Sequence, residues 1–478
     1  LTFAAGRTTL SARGKIGLAA AGFPAGKGVL KLESPDLEPY LMMTGIVLPQ
    51  GGAGLPARLA AELTLGEGKA EVAAIDAEAA DNRITGGLIL DWNGAVPKVN
   101  GELQIDSVDL AWLSEGVLGP VSDPVTGALS RQPLSKPRSD VEFNLALTSN
   151  RFSPGLFGPV AGFSATLNGA GGQMTLEDAT GQWLGGTMSG RLMVANTDGN
   201  GFYQGRVALR GADAATVERA IGRTGDAGIL DGKLDLDLVA EATGATVADL
   251  LSASNGSGTV KLPALTVRHL DGGLLAKILP EADRIEGEVT GETVEALAER
   301  LLGGASSAFA NVEVPFNITD GVLRATALSL ANDAVKLDGT AKVDLAGRQL
   351  EADLRLAFEP GDNALSGAEP GLRLLFSGDV ASPERRIDVG DLTNFLSQRA
   401  FERERRQELT EVVAETGGKL VLDLPGGPFA LTCRADRIER RRDGTLAIVD
   451  FKTGTAPSAK QAASLSPQLP LEAAIAMR

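Results

Sequence analysis

The sequence predicts a mainly β protein: an elongated antiparallel β-meander or groove with short helices, followed by a small partial α/β module. Three observations predict it. Apolar and polar residues alternate at a period of two through most of the first 400 positions, which gives each strand one apolar and one wet face. Sixty glycines against 4% aromatics suit short strands and turns better than large helical bundles. After Gly417-Gly418 the alternation gives way to a short strand-turn-strand pattern that carries acidic and basic residues at close spacing.

The central stretch is 315–347. Phe316 and Ile318, Val322 and Ala325, Leu328 and Leu330, Val335 and Leu337, and Val343 and Leu345 are the expected apolar positions of its strands. Asp320-Gly321 and Asp338-Gly339 are the expected tight turns, because both residue types tolerate positive φ. Before it, residues 1–118 read as short strands, with a hairpin of 85–92 and 99–106 through Asn93-Gly94 and a helix over 110–118. Residues 119–140 are rich in Pro, Ser and Gly and read as a linker. Strands resume at 141–148 and continue to 395, with helices expected at 214–222, 246–253, 270–279 and 293–302. In 230–241, Leu234, Leu236 and Leu238 share one face and Asp235 and Asp237 the other, where they read as solvated charges. Residues 391–416 read as helical, with 396–416 as a junction to a last module at 417–478.

At 478 residues the chain is long enough for two or more domains. Its net charge of −16 is uneven: residues 396–478 hold 13 Lys and Arg against 11 Asp and Glu, and all the excess acid precedes them. An acidic surface disfavours phosphate-backbone binding by the first 395 residues. One cysteine, Cys433, excludes an internal disulfide framework, and one histidine, His269, excludes a multi-histidine metal site. The chain begins at Leu1 in strand-like sequence and reads as a fragment of a longer protein.

Four features in order carry a resemblance to a family. They are 230–244 with Asp249-Leu250-Leu251 and the return at 255–259; Phe316–Gly321 with 337–345; 376–387 (FSGDVASPERRI); and the helix at 394–404 (NFLSQRAFERE). Together they make roughly residues 1–400 similar to the AsmA family of bacterial envelope proteins. The resemblance implies a β-rich groove with an apolar concave face and a non-enzymatic role in outer-membrane biogenesis and lipid homeostasis. It also implies a periplasmic location, anchored to the inner membrane by an N-terminal helix not present in this chain. The partners it implies are phospholipid or another acyl lipid and the envelope membrane.

In the last module, 419–424, 429–439 (FALTCRADRIE) and 445–452 (TLAIVDFK) read as strands, and a helix is expected from Ser458 or Ala459 towards Met477. Asp436 and Asp450 then fall on neighbouring antiparallel strands. Lys452, two residues on, shares the face of Asp450. Two carboxylates beside a lysine suit magnesium-dependent phosphodiester cleavage: the carboxylates hold a hard cation and the lysine orients a water. With Ala435-Asp436-Arg437-Ile438, Thr453-Gly454 and 467–473 (PQLPLEA), the module resembles the RecB/AddB branch of the PD-(D/E)XK nuclease superfamily. The resemblance implies Asp436 and Asp450 as Mg2+ ligands, Lys452 as catalytic and Gln468 as DNA-binding, with Glu415 as a further acidic position. Phe451 stands where the family has Tyr. The family's upstream histidine and iron–sulfur cysteines have no counterpart here, which implies a module that keeps the strands but does not cut. The two resemblances belong to different compartments and imply a gene fusion with its seam near 400–412. The alternative expectation is a cytoplasmic double-strand break repair protein of the AddB type, with DNA and an AddA-type helicase as partners.

Overall fold

A computed structural model describes residues 2–18, 24–43, 54–79, 82–123, 126–134, 141–155, 157–223, 228–285, 287–441 and 444–449. The chain folds as two compact units. One comprises Leu1–Ile278, Glu295–Glu359 and Gly371–Val389, the other Leu279–Val294, Pro360–Pro370 and Gly390–Arg478.

The first unit is built on a 20-stranded sheet. Its strands are β1 (Thr2–Ala5), β2 (Thr8–Leu18), β3 (Pro24–Ser34), β4 (Ala57–Gly66), β5 (Lys69–Ala79), β6 (Asn82–Asp91) and β7 (Lys98–Asp109), then β8 (Glu142–Ser153), β9 (Val160–Ala170), β10 (Gln173–Trp183), β11 (Gly186–Thr197), β12 (Asn200–Asp213), β13 (Leu230–Gly244) and β14 (Asn255–Val267), and finally β15 (Ser307–Thr319), β16 (Val322–Ala331), β17 (Val335–Asp344), β18 (Gln349–Phe358), β19 (Gly371–Asp379) and β20 (Glu384–Asp388). Helices are α1 (Glu38–Met43), α2 (Leu110–Leu118), α3 (Ala214–Ala220), α4 (Val247–Ser252), α5 (Leu274–Ala282), α6 (Gly291–Leu302) and α7 (Gly390–Glu408).

Each strand pairs antiparallel with the next, as short turns allow. Between β7 and β8 the pairing is parallel. A parallel join needs a crossover, and α2 with residues 119–140 supplies it. Asp109 caps α2 by accepting from the Ala111 N–H at 2.7 Å. Val117 and Leu118 of α2, and Leu134 beyond it, are buried in one cluster with Leu147, Phe163, Leu167, Leu176, Val194 and Leu209 of β8–β12. The Leu134 N–H donates to the Ala245 carbonyl at 2.9 Å, and the Ala248 N–H to Ser130. Residues 126–134 of the Pro/Ser/Gly-rich stretch therefore pack onto the sheet.

One face of this sheet is apolar from end to end. A single row of cross-strand partners runs Gly14, Gly28, Leu63, Val72, Leu88, Gly101, Leu145, Leu167 and Leu176. It continues through Leu192, Gly205, Ala240, Gly256, Ile318, Leu323, Val343, Leu350 and Gly378. No member is polar. The register keeps this face through bulges, as where Ala74 and Asp178 take positive φ at shifts in β5 and β10. The opposite face carries ion pairs such as Arg191–Glu177, Lys261–Glu313 and Lys342–Glu351.

The mainly β expectation holds, and Leu234, Leu236 and Leu238 are half-buried while Asp237 faces out against Arg210 at 2.6 Å. Two details of the central stretch differ. Asp320-Gly321 forms the expected turn, with φ of 50° and 68°. Asp338-Gly339 does not turn: both lie within β17. A Cβ at Gly339 would sit 2.3 Å from the Asp353 carbonyl oxygen, so glycine is there for close strand approach. Val322 pairs with Asp344, and Leu323, opposite Val343, takes the apolar face in its place.

In the second unit α7 holds buried Leu392, Phe395 and Leu396. Its Arg399 lies 3.1 Å from Asp283, and Arg403 also bridges to that carboxylate. The expected helix to 416 ends at Glu408. Residues 409–416 are strand, because Leu409 and the β-branched Val412, Val413 and Thr416 ladder along a neighbouring strand. Among the described residues no helix is long and apolar enough to cross a membrane.

Candidate functional site

The second unit holds a three-stranded sheet of β21 (Leu409–Leu424), β22 (Gly427–Arg441) and β23 (Leu446–Val449). The turn between β21 and β22 is Pro425-Gly426, and Gly427, at φ 116°, opens β22. β21 and β22 pair antiparallel from Leu424↔Gly427 down to Leu409↔Arg441. β23 covers only the last part of this ribbon, with Arg437↔Val449, Ile438↔Ile448, Glu439↔Ala447 and Arg440↔Leu446.

Asp436 lies in β22, one residue before the first of these pairs, and Glu415 lies in β21. Asp450, Lys452 and Gln468 lie outside the described residues, as do Phe451 and the helix expected from 458. Among the described residues no group of three His, Cys, Asp or Glu could hold a metal ion. His269 is exposed, at φ 58°.

The sequence reading missed a charged pair beside Asp436. Glu439 is only 2% exposed. Arg437 Nε lies 2.7 Å from its Oε1. The N–H is not aimed at that oxygen, so Nε makes no hydrogen bond and the contact is an ionic one. Arg-x-Glu in a strand places both on one face, but nothing in that spacing signals the burial of Glu439.

A second candidate surface is the apolar face of the long sheet. Away from α2 some of its members are half-buried, Leu63, Val72 and Leu88 towards one end and Leu323, Val343 and Leu350 towards the other, while Ile318, Leu337, Leu356 and Leu374 are buried. On β12–β15 a pocket of about 410 Å³ is lined by Val207, Leu238, Gly258 and Phe316 together with Arg206, Asp237 and Asn317. The Phe316 ring lies over Gly258, where a Cβ would come within 2.4 Å of it.

An uncharacterized protein of Rickettsia conorii is 41% identical over 73 residues, 15% of this chain and 9% of that protein. Another, of Rickettsia typhi, is 37% identical over 104 residues, 21% of this chain and 12% of that protein. The chain thus spans about a tenth of the length of the curated relatives it matches. No solved structure matches. The model of the PD-(D/E)XK nuclease superfamily matches residues 364–478, a span that takes in β19 and β20 of the long sheet, where β19 pairs with β18 and with β20. The part of this chain that the family model identifies is therefore its C-terminal segment, a PD-(D/E)XK nuclease-family domain.

Proposed function

We propose that the long sheet is an acyl-chain-binding surface of the AsmA type, in an envelope protein that serves outer-membrane biogenesis or lipid homeostasis. In this reading the nuclease-family segment was joined to it by gene fusion and does not cut. The observation that carries the reading is the unbroken apolar row from β2 to β19. At about 4.8 Å per strand such a row extends for roughly 80 Å. One leaflet of a bilayer spans only about 15 Å of hydrocarbon, so several acyl chains fit along it. Half-buried Leu63, Leu88, Leu323 and Leu350 each gain by leaving water, at about 25 cal/mol per Å² of apolar surface covered. The location is then the periplasm, and the partners are phospholipid and the envelope membrane. Mass spectrometry of the purified chain is expected to find co-purified phospholipid, and Leu323→Asp with Val343→Asp is expected to reduce it. A lipid-free protein that also fails to take up a fluorescent fatty acid sinks the reading.

A second reading is favoured by the family match and the β22–β23 register. Carried on by one residue, Arg437↔Val449 would set Asp436 opposite Asp450. Two carboxylates are the hard oxygen donors a magnesium ion prefers, and the ion would polarise a phosphodiester and acidify a bound water. Asp436 and Asp450 would hold the cation, Lys452 would orient the water, and Gln468 would approach the DNA. The protein is then an exonuclease of the AddB type in double-strand break repair, cytoplasmic, with an AddA-type helicase as partner. Magnesium-dependent degradation of linear duplex DNA, abolished in Lys452→Ala, supports this reading over the first. Equal activity in the parent and the variant excludes it.

A further inference from the structure

We propose that the pocket on β12–β15 holds an oxyanion site centred on Arg206, which takes the phosphate group of a phosphate ester. The side chains that build it belong to the polar face of the long sheet, so the site stands apart from the acyl-chain reading of the other face.

Alternation places it there. Arg206, Val239, Ser257 and Asn317 are successive cross-strand partners, and all four line the pocket. Asp237 and Thr259, two residues along, share their face. Around this row cations are matched to carboxylates. Arg191 lies 3.0 Å from Glu177, Arg210 2.6 Å from Asp237, Lys261 3.4 Å from Glu313 and Lys342 3.1 Å from Glu351. Arg206 breaks the pattern: it is exposed and makes no ion pair among the described residues. Its ladder partner on β11 is another cation, Arg191, and like charges directly opposite destabilise a sheet. An anion on Arg206 relieves that repulsion, and the pocket's own carboxylate, Asp237, is already held by Arg210.

The lining suits a phosphate. A guanidinium offers paired N–H donors to two oxygens of one anion. Ser257 and Thr259 add hydroxyls and Asn317 an amide, and none of these three side chains makes a hydrogen bond among the described residues. Donors on three strands match a group with three acceptor oxygens. The next partner in the row is Arg324, whose guanidinium reaches the Thr319 and Val322 carbonyls at 3.4 and 3.3 Å and no carboxylate among the described residues. A volume of about 410 Å³ admits a small ester rather than a bare ion alone. The net charge of −16 does not bar an anion, because repulsion from distant carboxylates is screened beyond about 8 Å at physiological salt.

A phosphate group arrives on a soluble ester or on a phospholipid headgroup, and the test separates the two. The full chain at about 0.15 M salt is titrated calorimetrically with glycerol 3-phosphate and floated with phosphatidylglycerol vesicles. The parent is expected to bind at least one probe. Arg206→Gln is expected to lose about tenfold to a hundredfold in affinity, and Arg206→Lys, which keeps the charge without the fork, to fall between. Lys261→Ala, on the same face but paired with Glu313, is expected to bind as the parent does. Arg206-dependent binding of glycerol 3-phosphate assigns a soluble ester; Arg206-dependent flotation without it assigns a headgroup. Absence of binding to both probes, or binding that Arg206→Gln leaves unchanged, overturns the site. Leu323→Asp with Val343→Asp alters the other face, so failure of the acyl-chain reading leaves the Arg206 dependence of glycerol 3-phosphate binding intact.

Discussion

The long sheet of the first unit and the three-stranded sheet of the second solve the same problem by different means. Both must choose one register from many that their hydrogen bonds permit. In the long sheet alternation decides: Leu167 and Leu176 meet on a buried face, and a slip would expose them to water. In β21 and β22 the decision is weaker. Val421, Leu424 and Phe429 are 47%, 51% and 52% exposed, so little burial is at stake along the ribbon. Next to Asp436, Glu439 is buried and lies against Arg437 of the same strand. A sheet with one dry face needs no further instruction, whereas a sheet apolar or wet on both faces has its register only weakly specified by burial.

The largest test of this contrast is a matched pair of truncations. Phe163, 2% exposed and stacked on Phe152 at 3.9 Å, anchors the cluster under α2. Phe163→Ala is expected to cost about 3–5 kcal/mol in urea unfolding. Phe429→Ala, in the ribbon, is expected to stay within about 0.5 kcal/mol. Equal losses would break the comparison. A smaller effect concerns close strand approach. Gly339→Val forces a backbone shift against Asp353 and is expected to cost about 1–3 kcal/mol. Ala430→Val on the exposed ribbon has no such conflict, and thermal melts should leave it near the parent.

The smallest effect sharpens the contrast at the end of a strand. Asp213 closes β12 and caps α3, accepting from the Thr216 hydroxyl at 2.8 Å and its N–H at 2.9 Å. The Thr216 hydroxyl is the main reason its carboxyl lies below the usual aspartate value, with the backbone N–H and Lys233 acting the same way. A depressed value means that the stabilisation is present above the ordinary aspartate range and is lost as pH falls through the folded value. Asp213→Ala is expected to cost about 1 kcal/mol at neutral pH. The gap between variant and parent should close in acid; a gap that stays constant with pH would show that the cap acts through packing alone.

Much of the fold was legible because a period of two is a local property. Leu234, Leu236 and Leu238 announce their shared face without any partner, and Asp320-Gly321 announces its turn. The boundary at 409 was not legible, since Glu402 to Glu411 is charged enough to suit a solvated helix and only pairing with β22 makes 409–416 a strand. Of the candidate site, the strand pair around Asp436 was readable from two short apolar runs and a turn. The Arg437–Glu439 pair was not, because i, i+2 charges are usually solvated and only packing buries Glu439.

By itself the sequence determined that this is a β protein whose strands each have one apolar side, that its excess acid lies before residue 396, and that the chemistry changes after Gly418. The tertiary structure alone decided that these separate apolar sides join into one row from Gly14 to Gly378, that β7 and β8 run parallel, and that Gly339 lies within a strand. The physical reason is that alternation fixes parity within a strand but carries no information about its neighbour. Pairing is settled by hydrogen bonds between residues far apart in the chain, and each bulge resets the parity by one.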